Sequence, residues 1–166
     1  MLEPLSIEAS DEERRSRYRE VHAAIVSLLE GEDDWVAAMA TVVCELHHAF
    51  DFYDWTGFYR AVSDDLLVIG PYQGGHGCLR IPFSRGVCGA CARTRETQLV
   101  ADVHAFADHI ACSSSTQSEI VVPVIGRSGR LLAVLDVDSD AEAAFTRVDQ
   151  EALEGICAEL GARFGS

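Results

Sequence analysis

Positive charge is scarce in this chain. Its 166 residues include 13 Lys and Arg residues against 27 Asp and Glu residues, and the formal net charge at pH 7 is −14. A surface with this charge repels the phosphate backbones of nucleic acids and the anionic headgroups of lipids. We therefore expect neither a nucleic acid nor a membrane surface as a partner.

Long apolar runs are missing as well. No stretch reaches the roughly 18 apolar residues that a membrane-spanning helix requires. The first residues, 1–13, are acidic and lack the basic and apolar regions of a secretory signal peptide. These absences predict a cytoplasmic protein.

The composition is otherwise that of a folded domain. Hydrophobic residues make up 48% of the chain and charged residues 24%, which excludes disordered, collagen-like and disulfide-scaffold proteins. A chain of this length buries a sizeable core without support from a metal or a disulfide. We predict a single domain over residues 1–166, with a helical extension at 1–33 and the core at 34–166.

Hydrophobic spacing predicts helices near both ends of the chain. Apolar residues three and four positions apart predict one amphipathic helix that ends at Gly31 and a second between Trp35 and Phe50. A final helix begins at Thr146, and Asp149 is placed to complete its capping box.

Two hairpins are predicted between these helices. The β-like run 51–62 is followed, after a short polar turn, by the apolar run 66–72. Residues 119–125 and 130–138 give a stronger hairpin signal around the turn 126–129. Helices at the ends of a series of hairpins are typical of an α+β domain with an antiparallel sheet.

A glycine-rich irregular stretch, residues 74–118, separates the two hairpins. It contains a predicted short helix near 89–95 and a predicted short strand near 98–101. Long irregular segments inside compact domains are usually functional. We therefore expect the active residues here.

Six cysteines are distributed along the chain: Cys44, Cys78, Cys88, Cys91, Cys112 and Cys157. In a reducing cytosol, catalytic, redox or metal-binding roles are more common than permanent bridges. Cys44 and Cys157 lie on predicted helices and are interpreted as core residues. Cys78, Cys88 and Cys112 lie in the irregular region, where a thiol can be exposed and activated.

One cysteine pattern invites a metal hypothesis. Cys88 and Cys91, followed by His104 and His109, match the spacing of a two-Cys, two-His zinc finger. We reject a finger because residues 92–103 contain little apolar core material and the domain needs no metal to fold. A zinc site of another geometry that uses the loop cysteines and these histidines stays open. The pair Cys88 and Cys91 also has thioredoxin-like spacing, but no βαβ unit surrounds it.

Carboxylates form a second candidate cluster. If the turn 126–129 closes the hairpin directly, Glu119 lies opposite Asp136, and Asp138 follows on the same face. Carboxylates that face each other are costly unless one is protonated or a cation, either a ligand ammonium or a metal, lies between them. A solvated sheet edge is the alternative, and a bulge at Pro123 would turn these side chains to the other face.

Further segments occur in order between about Val36 and Phe164: Asp54-Trp-Thr-Gly-Phe-Tyr59, Gly70-Pro-Tyr-Gln-Gly74 leading to Cys78, Arg80-Ile-Pro-Phe-Ser-Arg-Gly-Val-Cys-Gly89, Asp102-Val-His104, His109-Ile-Ala-Cys112, Ser118-Glu-Ile-Val121 and Leu135-Asp-Val-Asp-Ser139. Together they closely resemble the free methionine-(R)-sulfoxide reductases, which are GAF-domain enzymes. The resemblance implies a six-stranded antiparallel sheet with the N- and C-terminal helices packed on one face. It also implies a pocket closed by the irregular loops.

The resemblance also implies roles for the cysteines. Cys112 resembles the nucleophile that attacks the sulfoxide sulfur and becomes a sulfenic acid. Cys78 and Cys88 resemble the cysteines that resolve it to a disulfide, which thioredoxin would reduce. No cofactor and no metal are expected, and a homodimer is left open.

Substrate-binding roles follow from the same resemblance. Glu119, Asp136 and Asp138 resemble the carboxylates that hold the ammonium group, and either Glu119 or Asp138 is the expected proton donor to the departing oxygen. Trp55 and Tyr59 resemble an aromatic wall for the S-methyl group, although packing in the sheet core would also place aromatic residues there.

Three positions depart from the family pattern. Gly75 replaces a lysine, Ser113 replaces a common aspartate, and Cys91 replaces a small residue. The first two changes bear on loop order and on activation of Cys112, and Cys91 is a competing thiol. The main rival hypothesis is a GAF module that binds a small metabolite or senses redox state without catalysis, since a fold does not determine a function.

Overall fold

The computed structural model describes residues 3–107 and 114–165 of the chain. Its helices are α1 (Asp11–Leu28), α2 (Trp35–Ala49), α3 (Gly86–Thr94) and α4 (Arg147–Phe164), with a short 3-10 turn at Val103–Ala105. Its strands are β1 (Trp55–Ala61), β2 (Leu66–Gln73), β3 (Arg80–Pro82), β4 (Gln98–Val100), β5 (Ser118–Ile125) and β6 (Leu131–Ser139). No helix in the described ranges has the length and hydropathy to cross a membrane.

The six strands form one antiparallel sheet in the order β3-β2-β1-β6-β5-β4. Both predicted hairpins are present, as β1–β2 and β5–β6, and the pairing of β1 with β6 joins them at the centre of the sheet. The predicted six-stranded antiparallel α+β architecture is therefore confirmed.

Helices α1, α2 and α4 contribute to the main core, on one face of the sheet. The alternation of side chains along a strand explains this arrangement. Ile120, Val122 and Val124 of β5 point into that core with Leu135 of β6, whereas Val121 belongs to the core on the opposite face. The prediction that the terminal helices pack on one face is confirmed.

The last helix begins where its capping signal predicts. The side chain of Thr146 accepts a hydrogen bond from the N–H of Val148, and the carboxylate of Asp149 accepts one from the N–H of Thr146. The same buried carboxylate binds Arg14 at 2.7 Å and the hydroxyl of Tyr18 at 2.8 Å. One aspartate thus caps α4 and ties it to α1.

The short helix of the irregular region starts earlier than predicted. It begins at Gly86 rather than near Gly89, because Gly86 adopts a φ of +69° that turns the chain sharply into the helix. Gly89 is then packed so closely on the preceding segment that a Cβ there would lie 2.7 Å from the carbonyl oxygen of Phe83. This tight turn holds α3 against the sheet face that α1, α2 and α4 leave free.

Candidate functional site

The candidate residues converge on the sheet face that α3 covers. Glu119 comes from β5 and Asp136 from β6, while the first turn of α3 brings Cys88 over them. The Cys88 thiol sulfur and one oxygen of each carboxylate all lie within 4.8 Å of one another. Exposure of the three residues is only 3–6%, so water screens their interactions poorly.

The hairpin register differs from the predicted one by two residues. Glu119 lies opposite Asp138, and Val121 lies opposite Asp136. The prediction was wrong because Ile125 pairs with Leu131 rather than with Arg130, and the register shifts between Val124 and Ile125. A shift of two residues preserves the face, since side chains alternate with a period of two.

Hydrogen bonding at the cluster is incomplete. The Cys88 thiol donates to Oδ2 of Asp136 at 3.3 Å. The other oxygen, Oδ1, is buried and has no hydrogen-bond partner among the described residues. A buried carboxylate oxygen without a partner is costly. Oδ1 of Asp136 can therefore accept a hydrogen bond or contact a cation.

Burial controls the protonation of the carboxylates. It raises the pKa of Asp136 to about 7, although the Cys88 thiol and Glu119 oppose the rise by hydrogen bonding to the charged form. Burial, assisted by the charges of Asp136 and Asp138, holds the pKa of Glu119 well above its ordinary value. Burial and the charge of Asp136 also raise the pKa of the partly buried Asp138. Burial therefore favours the protonated forms of these carboxylates.

The thiol of Cys88 is held in its neutral form. Burial raises its pKa well above the ordinary range for a cysteine, and the negative charges of Asp136 and Glu119 add to the effect. A thiolate is the nucleophilic form of a cysteine. Cys88 is thus unsuited to make the first attack on a substrate in this environment.

Aromatic rings line the adjoining part of the same face. Trp55 stacks on Tyr59 with ring centroids 5.7 Å apart, and it also stacks on Tyr72 at 5.5 Å. The indole N–H of Trp55 donates to the carbonyl of Gly75 at 3.2 Å. Trp55 and Tyr59 were predicted from the sequence, and Tyr72 was missed as a member of the stack although it lies in the Gly70–Gly74 segment.

Gly77 allows the loop that precedes Cys78 to approach this stack. A Cβ at Gly77 would lie 2.9 Å from both the Trp55 ring and the Tyr59 hydroxyl. The backbone is therefore in direct contact with the rings, and no side chain fits between them. Sequence analysis grouped Gly77 with the other loop glycines and did not identify this contact.

The remaining cysteines occupy different environments. Cys78 is disulfide-bonded, whereas Cys44, Cys88, Cys91 and Cys157 carry free thiols. Cys91 and Cys157 are fully buried, which agrees with the core role predicted for Cys157. Cys44 is half-buried on α2 beside His48. Cys112, His109 and Ser113 lie outside the described residues.

No zinc-finger grouping occurs within the described ranges. Neither Cys91 nor His104 belongs there to a group of three or more potential metal ligands. Cys88 and Cys91 lie in one helix, α3, and the element that follows it along the chain is the short edge strand β4. Cys88 instead faces the carboxylates.

The chain is similar to a known domain family and to known proteins. The model of the GAF domain family matches residues 34–164. The free methionine-R-sulfoxide reductase of Escherichia coli is 37% identical over 143 residues, which cover 86% of each chain. Its namesake from Saccharomyces cerevisiae is 41% identical over 135 residues, 78% of this chain and 75% of the yeast protein. The chain belongs to the GAF-domain family of free methionine-(R)-sulfoxide reductases.

A solved structure extends the similarity to three dimensions. The free methionine-R-sulfoxide reductase of Neisseria meningitidis, determined in complex with its substrate, is 44% identical to this chain. The match covers 98% of this chain and 96% of the Neisseria protein, with a TM-score of 0.86. The fold predicted from the family resemblance is therefore confirmed over nearly the whole chain.

Proposed function

We propose that this protein reduces free methionine-(R)-sulfoxide to methionine by cysteine chemistry. The observation that carries the proposal is the buried cluster in which protonated carboxylates lie beside a thiol and an aromatic stack. Membership of the reductase family supports the same substrate. The cytoplasm is the proposed location, because the thiols must be recycled.

Substrate selection is assigned to the carboxylates. Asp136, with its unpartnered Oδ1, and the neighbouring Asp138 would bind the ammonium group of a free amino acid. A peptide bond removes that positive charge, and pairing lost inside a buried site is expensive. The stacked rings of Trp55 and Tyr59 would receive the S-methyl group.

The chemical step is assigned to Cys112. Its thiolate would attack the sulfoxide sulfur, and the oxygen, once protonated, would be transferred to the cysteine as methionine leaves. Cys112 then carries a sulfenic acid, and the methionine sulfur has gained the two electrons that the cysteine sulfur lost. We assign the proton donor to Glu119, because burial raises its pKa well above the ordinary value and favours the protonated form. Asp138 is the alternative donor.

Resolution is assigned to Cys78. Its thiol would attack the sulfenic acid, form a disulfide with Cys112 and release the oxygen as water. The disulfide-bonded state of Cys78 supports this order, while Cys88 carries a free, neutral thiol. Cys88 is the alternative resolving residue. Thioredoxin would reopen the disulfide by thiol exchange, and a homodimer is a separate proposal that light scattering tests.

Methionine formation from each diastereomer of the free sulfoxide, with thioredoxin for recycling, tests the function. We expect turnover of the R form alone, and little turnover of a methionine sulfoxide inside a peptide. Equal turnover of the peptide would refute the ammonium pocket. Binding of the sulfoxide without turnover would favour the rival hypothesis of a non-catalytic GAF module.

A further inference from the structure

The cluster of Cys88, Glu119 and Asp136 has the chemistry of a metal site as well as that of an amino-acid pocket. A thiol sulfur and two carboxylate oxygens are three ligands that Zn²⁺ accepts. They come from three different elements, α3, β5 and β6, which the fold holds together. The mechanism proposed above uses no metal, so this capacity is separate from it.

Distances within the cluster suit a metal. In a tetrahedral zinc site, bonds of about 2.3 Å to sulfur and 2.1 Å to oxygen imply ligand atoms about 3.4 to 3.6 Å apart. The sulfur of Cys88 and Oδ2 of Asp136 are already 3.3 Å apart, and all three ligand atoms lie within 4.8 Å of one another.

A second observation concerns the burial of Asp136. Asp136 is 95% buried, since its exposure is 5%, and its Oδ1 has no hydrogen-bond partner among the described residues. Loss of the protons from Cys88 and Glu119 would leave three negative charges, which exceed the charge of one divalent cation. A cation bound at the cluster would balance the charge of Asp136 and relieve the repulsion between the carboxylates.

We propose that the reduced, substrate-free protein binds one Zn²⁺ through Cys88, Glu119 and Asp136. Three protein ligands leave one coordination position for water, as in open zinc sites. The ion would occupy the position proposed for the substrate ammonium and would remove the protons from the cluster. Zinc is therefore a reversible inhibitor, competitive with methionine sulfoxide, and not a resident cofactor.

Zinc titration of the reduced full-length protein against a chromophoric chelator tests the site. A phosphine should keep the thiols reduced, because dithiothreitol itself chelates zinc. We expect one tight site per chain, and affinity reduced by at least roughly tenfold in both Glu119→Gln and Asp136→Asn. Cys157→Ser, which removes a buried thiol outside the cluster, is the matched control and should bind as the wild type does.

Co²⁺ identifies the sulfur ligand. Its thiolate charge-transfer absorption should be present in the wild type and in Cys78→Ser, and absent in Cys88→Ser. Zinc affinity unchanged in both carboxamide variants, or absorption that survives in Cys88→Ser, would show that other thiols hold the metal and would overturn the proposal. Circular dichroism of each variant confirms that the fold is intact.

Binding is measured without turnover, so it is independent of the reductase proposal. A protein that binds zinc at this cluster but does not reduce the sulfoxide would refute only the proposed function. An active reductase whose zinc affinity is unchanged by Glu119→Gln and Asp136→Asn would refute only the metal site. In an active enzyme, zinc should raise KM for the sulfoxide without lowering kcat, and excess chelator should reverse the effect.

Discussion

Glu119 lies directly opposite Asp138 across the paired strands β5 and β6. Two carboxylates at facing positions repel each other unless one is protonated or a cation lies between them. Burial and the neighbouring negative charges raise the pKa of both residues, which favours protonation as the way to relieve this repulsion. The cluster is therefore supplied with protons before a substrate arrives.

Glu119→Gln should reduce kcat by about 10²- to 10⁴-fold, the usual cost of losing a general acid. Glutamine has nearly the same shape but has no acidic proton to transfer. Single-turnover formation of methionine measures the effect. Glu151→Gln, on the exposed surface of α4, is the matched control. Full activity of Glu119→Gln would indicate that Asp138, and not Glu119, is the proton donor.

The free energy of unfolding of the reduced, ligand-free protein should fall as the pH rises from about 4 to about 7. Over this window the folded protein keeps a proton on Asp136, whose pKa is about 7 against an ordinary 3.8, while the unfolded chain has already released it. Stability is lost where the folded state binds more protons than the unfolded state, by at most about 1.4 kcal/mol per pH unit for one group.

Asp136→Asn should flatten this pH dependence, because asparagine does not titrate. Urea unfolding at several pH values measures the slope. Asp64→Asn, in the exposed turn between β1 and β2, is the control for removing a carboxylate elsewhere. An unchanged slope in Asp136→Asn would show that Asp136 ionises in the same pH range in both states.

Cys112→Ser should abolish methionine formation even in a single turnover with a chemical reductant, because no sulfenic acid can form. Cys157→Ser should retain the chemistry, since Cys157 is buried in the helical core away from the carboxylates. One methionine per enzyme from the serine variant at 112 would mean that the nucleophile is assigned wrongly.

Gly77→Ala should lower kcat/KM by roughly tenfold or more, since small displacements of a reacting group are costly. The added methyl group would meet the Trp55 ring and the Tyr59 hydroxyl at 2.9 Å and push the rings apart. Gly75→Ala is a close control, because a Cβ at that position of the same loop meets nothing within 4 Å. Equal kinetics of the two variants would argue against the aromatic wall.

Peptide mapping after one turnover without reductant should find Cys112 linked to Cys78 or Cys88. Cys91 should be a spectator, because it is fully buried on α3. Its burial raises the pKa of the thiol and leaves it unreactive. A dominant bridge between Cys91 and Cys112, or recycling that is lost in Cys91→Ser but kept in Cys78→Ser, would contradict this assignment.

The two hairpins and the common face of Glu119, Asp136 and Asp138 could be predicted from the turn signals and from alternation along the strands. The six-stranded sheet was implied by the family resemblance. The register could not be predicted, because a residue count does not reveal the shift between Val124 and Ile125. The error changed the partner of Glu119 but left the carboxylates on one face.

The contacts made by α3 and by the glycine loop could not be predicted from the sequence pattern. The hydrogen bond from Cys88 to Asp136 joins residues 48 positions apart and depends on how the helix sits on the sheet. Similarly, Gly77 reaches the Trp55 ring through the path of the loop, which no periodicity encodes. Tyr72 contacts Trp55 from β2, where it pairs with Gly57. The family resemblance identified residue types in the site but not these distances.

The carboxylate of Asp149 couples the local unfolding of α1 to that of α4. Arg14 supplies its counter-charge from α1, although residue 14 precedes the family match that begins at residue 34. Detachment of α1 would leave a buried negative charge unpaired at the start of α4. The first and last helices should therefore open together in hydrogen exchange, as one cooperative unit. Removal of residues 1–33 would then destabilise α4, at the other end of the chain, and residues 1–33 would not be dispensable for stability.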